Sequence, residues 1–144
     1  MNTENLDAAV LAWVRTCPAL RGAIRLGYLG PRSGDVSVTA ADRAGSGETA
    51  FIDGTRLRRY DFAVALTLPV SPDDDGVNQT SWRLTRRWMD WIDGRERAGD
   101  YPDLGPGRSA FELENRNAAP AVVRWSDNGL AKFQFFATLY YQEV

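Results

Sequence analysis

At 144 residues the chain has the length of one domain, 1–144, and a chain of that size can bury roughly two-thirds of the surface it exposes when unfolded. Its formal charge of −2, with 44% hydrophobic and 25% charged residues, is that of an ordinary globular domain and calls for neither a nucleic-acid nor a membrane partner. The absence of histidine and the presence of one cysteine exclude the commonest general base, an intrachain disulfide and a cysteine-based metal site.

No stretch approaches the run of about 18 apolar residues that a membrane-spanning helix needs. The opening MNTENLDAAV lacks the basic-then-apolar order of a signal peptide, so a cytoplasmic product is expected. Of the 17 basic residues only Lys132 is lysine. Such a preference for arginine reflects either a GC-rich genome or a use for forked, bidentate contacts at interfaces.

Leu6, Val10, Trp13, Val14 and Cys17 recur at helical spacing, with Thr3 or Asn5 able to cap the helix and Pro18 stopping it. Cys17 falls on the apolar stripe and reads as a buried small hydrophobe rather than a reactive thiol. Two short alternating runs follow, around Ile24, Leu26 and Tyr28 and then around Val36 and Val38, joined by the turn Gly30-Pro31-Arg32-Ser33-Gly34. Residues 40–48, AADRAGSGE, have no periodicity and read as a loop.

Asp53-Gly54 signals a tight turn into the most regular stretch of the chain. There Tyr60, Phe62, Val64, Leu66 and Leu68 alternate with Arg59, Asp61, Ala63, Ala65 and Thr67, which predicts a central strand. The run Asp73-Asp74-Asp75 lacks the alternating ligands and closing glutamate of a calcium loop and reads as a solvated lead into a helix. That helix is expected from Thr80 or Ser81 to about Ile92, ending at Asp93-Gly94, with Leu84, Trp88, Trp91 and Ile92 on one stripe and Trp82 near its start. The tryptophans are expected to cover the sheet, while Arg83, Arg86 and Arg87 form a solvated face.

Residues 94–116 read as a loop-rich connection, since Pro102, Gly105, Pro106 and Gly107 exclude helix and central strand, and no Gly-Lys-Ser/Thr follows to make a phosphate loop. The chain closes on a hairpin, with Ser126-Asp127-Asn128-Gly129 between a run from Ala121 to Trp125 and a long strand in which Phe133, Phe135, Ala137, Leu139 and Tyr141 share one face. The other face, Lys132, Gln134, Phe136, Thr138 and Tyr140, still holds two aromatics suited to meeting another protein or subunit. The fold expected is α+β, an antiparallel or mostly antiparallel sheet of four to five strands with two helices packed on one face. Phe62, Val64, Leu66, Trp88, Trp91, Phe135 and Leu139 are expected to share its core.

Several of these segments, in order, resemble the small minor capsid or tail terminator proteins of long-tailed bacteriophages and prophages. They are IRLGYLG from Ile24, DVSV from Asp35, FIDGTRLRRYDF from Phe51, WMDWI from Trp88, PDLG from Pro102 and FQFFATLYY from Phe133. The resemblance implies a structural protein of the virion head–tail junction, made in the host cytoplasm, that caps the tail tube as a homo-oligomeric ring, usually hexameric. It further implies contact with the tail tube protein and with the head-completion or connector protein, possible non-specific contact with DNA in the ring lumen, and no membrane. The family has no catalytic motif to carry over, so no catalytic, cofactor-binding or metal-binding residue is assigned. The longer loop at 40–48 and the tryptophan-rich helix behind three aspartates depart from the pattern.

For contact with a neighbouring subunit or the tube, Arg56 and Arg58 are the first candidates, with Asp73, Asp74 and Asp75 a possible complement; a solvated charged turn is the plain alternative. Phe136 and Tyr140 are the second candidates. A nucleic-acid-binding or other non-catalytic interaction module is the rival reading, if Arg56, Arg58, Arg59, Arg83, Arg86 and Arg87 gather on one patch. For an enzyme the best carboxylate pair is Glu112 with Glu114, which share a face if the segment is extended.

Overall fold

A computed structural model describes residues 4–41, 49–50, 54–117, 122–125 and 128–144. The elements in chain order are α1 (Glu4–Val14), β1 (Ile24–Leu26), β2 (Val36–Ala40), β3 (Thr49–Ala50), β4 (Arg56–Pro69), α2 (Asp75–Ala98), β5 (Arg108–Asn115), β6 (Val122–Trp125) and β7 (Leu130–Glu143). One sheet holds all the strands in the order β1-β2-β4-β7-β5, with β3 extending the β2 side of β4 and β6 extending the β5 side of β7. The fold is α+β, and β4 is central as its alternation predicts.

β4 and β7 pair antiparallel from Arg56↔Glu143 to Pro69↔Leu130. Tyr60, Phe62, Val64, Leu66 and Leu68 on β4 meet Phe133, Phe135, Ala137, Leu139 and Tyr141 on β7, and all ten are buried. Both helices cover this face. Trp82 of α2 meets Phe133 edge-on at 5.9 Å, and Trp13 of α1 packs on Trp91 of α2 at 4.7 Å, so the helices are joined by aromatic contact over the sheet. The expected core residues are therefore in one cluster, Trp91 being the one that stays half-buried.

Four features differ from the sequence expectation. α1 ends at Val14, where Thr16 and Cys17 donate to the carbonyls of Trp13 and Val14 in a tight final turn; Pro18 follows this stop, Asn5 is inside the helix rather than its cap, and Thr3 lies outside the described residues. β1 and β2 run parallel, so the segment 27–35 is a crossover and not a hairpin turn. Its geometry is fixed by a close approach: a Cβ on Gly30 would lie 2.0 Å from Asp35 Oδ2, and Thr67 hydroxyl donates to Gly30 carbonyl at 3.0 Å while Gly34 N–H donates to Thr67 carbonyl at 2.7 Å.

α2 begins at Asp75 rather than Thr80 or Ser81 and runs past Gly94 to Ala98. Asp74 is its N-cap, accepting from Gly76 and Val77, and Gly99 at φ 66° ends it. Residues 108–115, expected in a loop, form β5, an edge strand with a bulge at Phe111. The turn expected at Asp53-Gly54 is consistent with β3 doubling back on β4, although Phe51, Ile52 and Asp53, like the loop residues 42–48 and Ala121, Ser126 and Asp127 of the last hairpin, lie outside the described residues.

Candidate interaction surfaces

Arg58 points to the helix-covered side at the end of β4, where its Nε lies 3.1 Å from one oxygen of Glu143 while Arg108 Nε lies 2.9 Å from the other. The two arginines and the carboxylate form a bridge across β4, β7 and β5, each side chain less than a fifth exposed. Arg58 is thus tied within its own subunit, and it is less exposed than Arg56 at the strand end. Asp73, Asp74 and Asp75 follow the opposite end of β4, roughly 45 Å away for a 14-residue strand. Within one chain they cannot complement Arg56; only contact between copies could bring them together.

Phe136 and Tyr140 lie on the other face of β7, across from Ala63 and Arg59, and none of the described helices covers them. Phe136 is 42% exposed. Tyr140 is less free, since its hydroxyl donates to Glu114 at 2.8 Å and its ring meets Phe111 at 6.5 Å. The four interface candidates therefore fall on two opposite faces of the sheet. Beside Tyr140, Thr138 donates to Asp61 at 2.5 Å and Arg59 Nε lies 3.3 Å from the other Asp61 oxygen, so the polar residues of this face are largely held by one another.

The basic patch of the nucleic-acid reading is not assembled. Arg83 follows Trp82, which sits over Phe133 and hence beside Leu66, eight strand residues or about 25 Å from Arg58. Arg59 is on the opposite face of the sheet and paired with Asp61.

Glu112 and Glu114 do share one face of an extended strand, opposite Tyr140 and Thr138. Among the described residues no cluster of histidine, cysteine, aspartate and glutamate could hold a metal ion. Asp74 spends its carboxylate on the helix cap, and Cys17 is buried, which pushes its thiol pKa up. No described helix is long and apolar enough to cross a membrane.

The sequence reading missed the two sheet edges. On β1 and around it, Arg15, Arg21, Arg25 and Arg32 are all exposed, and residues 8–34 contain no acid at all. Beyond β7 on the other side, β5 exposes Phe111, Glu112 and Glu114. The run of arginines without a single intervening carboxylate was the available signal.

No family model and no curated protein matches the chain. A solved chain without a functional description aligns over 100% of this chain and 96% of its own, at a TM-score of 0.40 and 11% identity. A likeness of that size is too slight to support a conclusion about fold or function.

Proposed function

We propose that the protein is a structural subunit of the phage head–tail junction, a tail terminator that caps the tail tube as a ring, ends its elongation and joins it to the head connector. Support comes first from the ordered resemblance, whose segments fall on β1, β2, β4 and β7 of a single sheet and on α2, which packs over it. The observation that carries the reading furthest is the helix-free face of the β4–β7 pair, where Phe136 stays 42% exposed in the middle of a 14-residue strand. A large aromatic held out from a stiff central strand suits permanent burial against another subunit.

The test is to add the purified chain to polymerising tail tube protein and measure tube lengths and end density by electron microscopy. A terminator stops growth at a defined length and leaves a ring on one end, and Phe136→Ser weakens that arrest without unfolding the subunit. Tubes that grow on unchanged, with bare ends, would overturn the reading. Salt-dependent binding to duplex DNA by the isolated chain would instead favour the nucleic-acid module.

A further inference from the structure

The two lateral edges of the sheet carry opposite charge on the same face. Register relates Arg25 through Ser37 and Ala65 to Gln134, and Glu112 and Glu114 through Tyr140 and Thr138 to the same side of β7. Arg25 extends over the Tyr28 ring, its guanidinium carbon 5.8 Å from the centroid, and Tyr28 is 57% exposed. The guanidinium groups of Arg21, Arg25 and Arg32 have no carboxylate partner among the described residues and the Glu112 side chain has no hydrogen-bond partner among them, whereas Glu114 already meets the Tyr140 hydroxyl at 2.8 Å and Arg116 at 4.0 Å. Apolar groups accompany each charge: Leu26 and Tyr28 on the basic edge, Phe111 on the acidic one.

Outward backbone groups on both edges are already engaged by side chains of the same chain. Arg15 Nη2 donates to the outward carbonyl of Ile24 at 2.8 Å. On β5, Leu113 N–H donates to Glu96 at 2.6 Å, and the Tyr101 hydroxyl lies over the edge 3.1 Å from the Phe111 carbonyl oxygen. Edges engaged in this way are poorer templates for indiscriminate strand addition. Recognition is left to side chains, which select a partner of complementary charge.

We propose that the β1 edge of one copy docks against the β5 edge of the next, Arg25 facing Glu112 and Glu114, and Leu26 with Tyr28 covering Phe111. Each copy carries one edge of each sign, so the contact is head-to-tail and propagates in one direction, closing a ring when the rotation allows. Like edges repel, which disfavours the two-fold dimer. This contact deepens the ring reading and rests on it only for the number of copies.

The experiment mixes two full-length variants, Leu26→Cys with one tag and Phe111→Cys with another, with a short bismaleimide cross-linker at low salt. Cys17, 2% exposed, does not compete. The expected product is the mixed-tag dimer in preference to either same-tag dimer, and the double variant gives a ladder. Arg25→Glu and Glu112→Arg each lower the mixed yield on the order of 10-fold or more, and combining the two reversals in the contacting pair restores it. Absence of a mixed-tag preference, or a preference untouched by either reversal, overturns the contact. If Arg25→Glu caps tubes as the parent does, the edge contact is wrong while the terminator reading stands. If mixed-tag cross-linking occurs but tube growth is never arrested, the contact stands and the terminator reading falls.

Discussion

The Tyr60 hydroxyl of β4 donates a hydrogen bond to the carboxylate of Asp7 on α1, fastening the first helix to the central strand across 53 residues of chain. Burial of the phenol, then the hydrogen bond to Asp7 and the negative charge of that carboxylate, hold the Tyr60 pKa well above its ordinary value. The stability this contributes is complete below the pKa of an unfolded tyrosine, near 10, and declines as the pH rises beyond it, because the unfolded chain can then lose a proton that the folded one keeps.

Tyr60→Phe should therefore cost about 1.5–3 kcal/mol at neutral pH, the range for a hydrogen bond to a charged partner. Between about pH 10 and 11.5 the parent should lose stability faster than the variant, narrowing the gap. Urea melts of both proteins at pH 7, 10 and 11 check this; a constant gap would show that the hydroxyl does not couple to folding.

Phe135 is buried against both sheet and helix side, so Phe135→Ala should cost about 3–5 kcal/mol. Trp91 is half-buried but stands between Trp13 at 4.7 Å and Trp88 at 5.5 Å, so Trp91→Ala should cost less than Phe135→Ala while removing the ring contact that joins the helices. Proteolysis of the Trp91 variant should accordingly begin in α1, ahead of global unfolding. Equal urea midpoints for parent and Phe135→Ala would refute the shared core.

The alternation from Tyr60 to Leu68 and from Phe133 to Tyr141 made the central pair legible, because a strand buried on one face repeats every two residues whatever surrounds it. β5 was hidden for the complementary reason. It is an edge strand broken by a bulge at Phe111, so Phe111 and Glu112 are both exposed and the alternation fails where the ladder does. The parallel pairing of β1 with β2 is a matter of connection, and periodicity is the same in either direction. The limits of α2 were misplaced because its interior tolerates Gly76 and Gly94, whereas the signal that decides its start is the carboxylate of Asp74. For the surfaces, sequence singled out Arg56, Arg58, Phe136 and Tyr140 but could not show that Arg58 is tied to Glu143 or that the aromatics lie on the other face.

The three aspartates before α2 should behave unequally. Asp74→Ala removes the cap that holds the N–H groups of Gly76 and Val77 and should cost about 1 kcal/mol. Asp75→Ala loses only a favourable charge in the first turn, about 0.3–1 kcal/mol, and Asp73→Ala, exposed outside the helix, should be within about 0.5 kcal/mol of the parent. Thermal melts of the three variants separate these outcomes. Equal losses at all three positions would mean that net charge, and not the cap, is what matters there.

Arg58 and Arg108 both reach Glu143, one to each carboxylate oxygen, at the point where β4, β7 and β5 lie side by side. The three side chains are only partly exposed, so the bridge is screened less than a surface pair, though each arginine also costs side-chain entropy to hold. Arg58→Ala and Glu143→Ala should each destabilise by about 1 kcal/mol, and a double-mutant cycle should give a coupling of about 0.5–1 kcal/mol. Arg58→Glu should cost more than Arg58→Ala, since it sets a second carboxylate against Glu143. Arg56→Glu at the exposed strand end should cost less than either. A loss of tube capping in Arg58→Glu would then have to be read against its folding defect, whereas the same loss in Arg56→Glu would point to the interface. Chemical denaturation of the single and double variants at 0.05 and 0.5 M salt decides it: zero coupling at both salts would show that the Arg58–Glu143 contact contributes nothing to folding.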